Sequence, residues 1–147
     1  EQNIKEEKAM KNIYLLSCVK TKLSKPSVAV DMYISPLFKK MLSYAQSKEA
    51  DEIFILSAEY GLLERSQVID PYEKTLRTMK KKEREIWADT VMTELIKKSD
   101  VKCDNFIFLA GKMYRENLVT GVKNYSVPME GLGMGEQLAW LGKHTDV

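Results

Sequence analysis

A chain of 147 residues with 44% apolar and 30% charged side chains can bury a core without metals or disulfides and does not have the composition of a disordered segment. Its net charge of +2 does not mark a nucleic-acid binder by itself, so any such argument has to come from local clustering of charge. No stretch approaches the ~20 apolar residues of a membrane span, two cysteines fit a reducing cytoplasmic compartment better than a disulfide scaffold, and one histidine with those two cysteines cannot build the usual zinc site.

Residues 1–9, EQNIKEEKA, are polar and charged and do not read as a signal peptide. Met10 leads straight into a strand pattern. Residues 1–9 are therefore expected to be a tail, a tag remnant or the end of an upstream domain, and residues 10–147 a single domain.

Residues 12–18 form a near-continuous apolar run, the pattern of a strand covered on both faces. Residues 36–48 predict a helix, with Ser35 as N-cap, Pro36 in the first turn, and Leu37, Phe38, Met41, Leu42 and Ala45 on one face. A second buried strand is expected over 52–57. The longest helix is expected over 79–98, with Ile86, Trp87, Val91 and Leu95 on its buried stripe. Residues 105–110 predict a third buried strand and 113–122 a short helix. The strand over 125–129 is confined by Pro128 to an edge or a strand end. A last helix, 135–143, turns Leu138 and Leu141 inward. This alternation predicts an α/β fold: a three-layer α-β-α sandwich with a mostly parallel sheet of about four strands, Rossmann-like but without a dinucleotide fingerprint.

In such sheets ligands bind beyond the carboxyl ends of the strands, at a topological switch point. The segments leaving those ends are polar and glycine-bearing. Ser17-Cys18-Val19-Lys20-Thr21-Lys22 follows the first strand, and Ser57-Ala58-Glu59-Tyr60-Gly61 the second, with Asp70-Pro71-Tyr72 close behind. Ala110-Gly111-Lys112-Met113-Tyr114 follows the third, and Glu130-Gly131-Leu132-Gly133-Met134-Gly135 the fourth. Lys20, Lys22, Lys112 and Arg115 would gather on one rim and together favour an anion, although any one of them taken singly reads more readily as a solvated surface lysine or arginine.

Glycines at 131, 133 and 135 do not make G-x-G-x-x-G and follow the last strand, which argues against an NAD site; no phosphate-loop motif is present either. Gly131 and Gly133 serve a tight turn or a close approach to a ligand. Asp70 and Glu130 are the carboxylates expected in the cleft, for acid–base work at a ligand, while Asp70 before Pro71 also reads as a turn starter. Cys18 lies near lysines that would lower its pKa. The sole histidine, His144, is near the C-terminus, so Cys18 reads better as a contact residue than as a nucleophile. Tyr33, Tyr60, Tyr72 and Tyr114 recur at loop and helix starts, where a phenol can contact a base or sugar or simply edge the core. Ser57, Gly61 and Gly111 complete the candidate contacts. No cofactor or metal ion is called for; carboxylates near a phosphate could hold magnesium, but nothing demands it. Between residues 74 and 84, Lys74, Arg77, Lys80, Lys81, Lys82 and Arg84 stand against Glu73 and Glu83 at a helix start, where positive charge opposes the macrodipole; this hints at a polyanion-facing patch.

These motifs resemble a family of small bacterial and phage domains of uncharacterised function that are similar to part of the YaaA-like peroxide-stress proteins. The resemblance runs from Asn12 to Leu141. Its most specific portion is Ile55-Leu56-Ser57-Ala58-Glu59-Tyr60-Gly61-Leu62-Leu63 with Ile69-Asp70-Pro71-Tyr72, followed by Leu109-Ala110-Gly111 and Pro128-Met129-Glu130-Gly131-Leu132-Gly133-Met134-Gly135. It implies an α/β domain with a role near DNA, nucleotides or modified bases, in stress response or phage defence.

The leading expectation is a nucleotide, nucleobase-like molecule or nucleic-acid end held in the strand-end cleft, with hydrolysis or transfer at a glycosidic or phosphate bond. Lys20, Lys22 and Lys112 would hold the anion, Tyr72 and Tyr114 the base or sugar, and Asp70 or Glu130 would move protons. The alternative is a non-catalytic DNA-binding module using the basic face of residues 74–84, and a third is an interaction domain of a larger protein.

Overall fold

Three apolar runs form the centre of a sheet because each is covered on both faces. The computed structural model describes residues 10–17 and 22–146. In chain order these form β1 (Asn12–Ser17), β2 (Ser27–Val28), α1 (Ala29–Met32), α2 (Pro36–Ser47), β3 (Glu52–Ser57), β4 (Gly61–Glu64) and β5 (Val68–Ile69). A 3₁₀ turn (Leu76–Thr78) then leads into α3 (Lys81–Lys98), β6 (Asn105–Leu109), α4 (Lys112–Arg115), a second 3₁₀ turn (Val119–Gly121), β7 (Asn124–Ser126) and α5 (Met134–His144). Among the described residues the main sheet has five strands in the order β4-β3-β1-β6-β7, all parallel except β4.

β1 is central, pairing with β3 on one side (Leu16 opposite Ile55) and β6 on the other (Leu16 opposite Leu109). The chain leaves β1 to add β3 on one flank and later crosses back to add β6 on the other. The winding therefore reverses between β1 and β6, and a crevice opens there at the carboxyl ends of the strands.

The pleat sends alternate residues into two apolar clusters. Tyr14, Leu16, Ile53, Ile55, Ile107 and Leu109 pack with Phe38, Met41 and Ala45 of α2 and Leu141 of α5. Ile13, Leu15, Phe54, Leu56, Phe106 and Phe108 pack with Trp87, Ala88, Val91 and Leu95 of α3. α2 starts where the sequence says it should, since the Ser35 hydroxyl accepts from the Phe38 amide at 3.2 Å and Pro36 occupies the first turn. No helix among the described residues is long and apolar enough to cross a membrane.

The fold class is α/β with a mostly parallel sheet, but the sheet has five strands rather than four. The extra one is β4, which reads in sequence as a loop after β3. A three-residue turn, Ala58-Glu59-Tyr60, folds Leu62 and Leu63 back onto Leu56 and Ile55 as an antiparallel edge. Gly61 enters β4 at φ +76°, a conformation that glycine adopts at no steric cost. Ile86 is 57% exposed rather than part of the buried stripe of α3, where Ala88 takes its place. The helix expected over 113–122 shrinks to Lys112–Arg115 followed by turns, because Asn117, Thr120 and Gly121 favour turns over helix. β7 stops at Ser126, ahead of Val127 and Pro128, where a proline can no longer donate to the ladder.

Candidate functional site

The crevice at the switch point is a cleft of about 980 Å³. Its floor is the ends of β1 and β6. Ser17, the last residue of β1, is buried, and its hydroxyl accepts from the Gly111 amide at 3.3 Å, so the loop leaving β6 is pinned to β1. Beyond Gly111, Lys112 and Met113 are exposed on α4, whereas Tyr114 turns inward. On the opposite wall stand Val127, Met129, Glu130, Gly131 and Leu132, with the starts of α2 (Pro36, Leu37) and α5 (Met134, Leu138) closing the sides.

Arg115 spans the two walls. One terminal nitrogen donates to the Ala110 carbonyl at 2.9 Å, and the other lies 3.8 Å from the Glu130 carboxylate. Glu130 itself is mostly exposed at the rim. Gly131 adopts φ +85°, the left-handed conformation its turn requires, and a side chain there would meet open space. Gly133 is the N-cap of α5, and the Glu136 carboxylate accepts from its amide at 2.9 Å. It stands at the helix entry and is not among the lining residues.

Tyr114 links the cleft to the segment ahead of α3. Its phenolic oxygen accepts from the Leu76 amide at 3.4 Å and lies 3.5 Å from the Thr75 hydroxyl, and its ring meets Trp87 edge-on at 5.7 Å. This contact holds the Leu76–Thr78 turn against the mouth, where Arg77 lines the cleft.

Of the candidates from sequence, the cleft brings together Gly111, Lys112, Tyr114, Glu130 and Gly131, with Arg115. Cys18 and Lys20 lie outside the described residues. The rest are gathered elsewhere. Ser57 is fully buried; its hydroxyl accepts from the Glu59 and Tyr60 amides at 3.2 and 2.9 Å and its carbonyl accepts the Trp87 indole N–H at 2.8 Å, so it builds the β3–β4 turn. Gly61 is buried in the same turn. Tyr72 shares a 2.6 Å hydrogen bond with Tyr33, carries the Lys22 ammonium 4.5 Å above its ring and meets Tyr60 edge-on. Asp70 belongs to this tyrosine group, since its amide donates to the Tyr60 phenol at 3.1 Å; its side chain is exposed and is not among the cleft-lining residues.

Within that group, burial, reinforced by neighbouring Tyr72, pushes the Tyr33 phenol well above the usual tyrosine range. Tyr33 stays protonated in the fold while tyrosines of the unfolded chain ionise near pH 10. Its contribution to stability is whole below pH ~10 and is lost above it at about 1.4 kcal/mol per pH unit. Urea unfolding at stepped pH from 9 to 11 should show a decline that becomes shallower by that share in Tyr33→Phe; equal slopes in both proteins would contradict it.

Two features of the cleft escape sequence reasoning. Arg77 reads as part of a surface run, and only the packing of its turn beside α4 brings it to the mouth. The methionines of the lining, Met41, Met113, Met129 and Met134, come from three helices and a loop, and their local trace is Met129 and Met134 on either side of the glycine turn.

No curated protein matches the chain. Over residues 13–143, nearly its whole length, the chain matches the DUF6884 family, described as a family of unknown function, and it belongs to that family.

Proposed function

We propose that the crevice beyond β1 and β6 binds a nucleotide or a nucleobase-like molecule, that the domain is a three-layer α-β-α sandwich around that site, and that it works in the cytoplasm. The observation that carries this reading is an apolar, methionine-rich lining with cationic residues at its rim, at the switch point of a mostly parallel sheet. Thioethers are polarisable and adaptable, and sulfur packs favourably against aromatic rings, so Met113 and Met134, the two exposed methionines of the lining, suit the face of a base. Lys112 and Arg77, both exposed at the mouth, suit a phosphate. Arg115 is committed to the Ala110 carbonyl and to Glu130, which leaves it a positioning role: it holds the Glu130 carboxylate at the rim, in reach of sugar hydroxyls.

With Asp70 outside the cleft, Glu130 is the one carboxylate among its described lining residues, and any hydrolysis or transfer at a glycosidic or phosphate bond would use it as acid or base. The kinship proposed with the YaaA-like proteins rests on the motifs alone and adds the expectation of a role near DNA or nucleotides.

A thermal-shift and calorimetric screen against nucleobases, nucleosides and mononucleotides tests this. A bound ligand at a hundredfold excess over its Kd should add about 2.7 kcal/mol of stability and raise Tm visibly. Lys112→Ala and Arg77→Ala should each weaken a nucleotide by roughly tenfold, the loss of about 1.4 kcal/mol of charge-assisted contact, and leave the corresponding nucleobase nearly unaffected. A screen in which no base, nucleoside or nucleotide moves Tm sinks the reading.

A further inference from the structure

We infer that the nucleotide taken into the cleft is the end of a single polynucleotide strand, whose following phosphates lie along the basic segment of residues 74–82. This rests on the reading of the cleft given above and extends it to the class of ligand. Arg77 joins two features that look separate in sequence. It lines the cleft, and it belongs to the same run as Lys74, Lys80, Lys81 and Lys82, all of which are exposed.

The balance of charge then asks for more anion than one nucleotide carries. Among the described residues Lys74, Arg77, Lys80, Lys81 and Lys82 make no ion pair, a state they share with other surface cations, but these five fall within nine consecutive residues. Of the two acids that flank this stretch, Glu73 and Glu83, the second is turned to the backbone, its carboxylate accepting from the Lys80 amide at 2.8 Å. A mononucleotide at the mouth meets Lys112 and Arg77. The other four cations stand at and before the start of α3, where positive charge opposes the helix macrodipole, and a run of phosphates across them relieves that repulsion.

The segment is also held in place before any ligand arrives. The Thr75 hydroxyl accepts from the Arg77 amide at 3.3 Å, and the Tyr114 phenol holds the Leu76 amide. Arg84 donates to the Met79 carbonyl at 2.6 Å, with its Nε 3.8 Å from Glu116 beyond α4. A backbone already in place leaves only the lysine and arginine side chains to be ordered on binding. The cleft admits a base only when that base is out of a stack, which excludes a duplex, and with its sides closed by the starts of α2 and α5 it suits a strand end rather than a strand running through. Phosphodiester chemistry is common to DNA and RNA, so both are probes.

Fluorescence anisotropy decides the matter with 5′-labelled linear hexadeoxythymidylate and hexauridylate, the matching mononucleotides and a circular oligothymidylate. Linear hexamers should bind at least tenfold tighter than their mononucleotides at 50 mM salt. For four phosphates neutralised, that affinity should fall about fiftyfold between 50 and 200 mM. The Lys80→Ala/Lys81→Ala/Lys82→Ala triple variant should remove most of the hexamer's advantage and leave mononucleotide affinity unchanged, and the circle should bind no better than a mononucleotide. A deoxy or ribo preference identifies the natural strand. Mononucleotides that bind as tightly as hexamers, or a circle that equals the linear strand, overturn the inference while the nucleotide reading stands; failure of every mononucleotide to bind overturns the nucleotide reading itself.

Discussion

Replacing Trp87 with alanine should lower stability by about 3–5 kcal/mol and loosen the cleft as well. The indole is buried against the sheet in the cluster of Leu15, Phe54, Phe106 and Phe108, and it makes two directed contacts. Its N–H donates to the Ser57 carbonyl at 2.8 Å, where β3 turns into β4, and its ring meets that of Tyr114 edge-on at 5.7 Å. Deletion therefore opens a large cavity, leaves a buried carbonyl short of its donor and removes the support of the one tyrosine among the described cleft-lining residues. In a domain of this size the expected drop in Tm is roughly 10 °C or more. Trp87→Phe keeps most of the packing and forfeits the hydrogen bond, at about 1–2 kcal/mol. Urea unfolding measures both, and nucleotide titration of the alanine variant under native conditions should show weaker binding, because the Leu76–Thr78 turn carrying Arg77 leans on Tyr114. A loss under about 1 kcal/mol for the alanine variant would mean that the α3 face of the sheet is not packed as described.

Asp104→Ala should be nearly as costly, about 2–4 kcal/mol, and silent at the cleft. Asp104 is buried, and its two carboxylate oxygens accept from the Lys11 amide at 3.1 Å and the Asp100 amide at 2.9 Å. It thereby ties the entry to β1 to the loop between α3 and β6, at the amino ends of the strands, opposite the site. Alanine removes the charged acceptor of two part-buried backbone donors, a class of bond worth about 1.5–3 kcal/mol, and Asp104→Asn should recover part of that. Nucleotide affinity measured below the unfolding transition should match the parent protein. A change in affinity from this remote end would show that the two ends of the sheet are coupled despite their separation.

The strands with near-continuous apolar runs, at 12–17, 52–57 and 105–109, are legible in sequence because burial on both faces leaves a purely local mark. So is the start of α2, since its Ser-Pro signature depends only on adjacent residues. β4 is not. Leu62 and Leu63 are too few to show a period, and their role as a strand comes from pairing with β3 across a turn. Likewise Asn117, Thr120 and Gly121 outweigh a helical-looking stretch after α4.

For the site, sequence by itself determined which end of the sheet carries the polar, glycine-bearing loops, and it singled out Gly111, Lys112, Tyr114, Glu130 and Gly131 among them. Only the tertiary structure decided how the candidates divide. Ser57 and Gly61 go to a turn, Asp70 and Tyr72 join Tyr33 and Tyr60, and Arg77 moves from a surface run to the mouth of the cleft. The reason is physical. A residue's turn chemistry and its place in an apolar run are set by its near neighbours in the chain. The company its side chain keeps is set by strand order and crossovers, which bring β1 beside β6 and pair Asn12 with Asn105 across 93 positions of sequence.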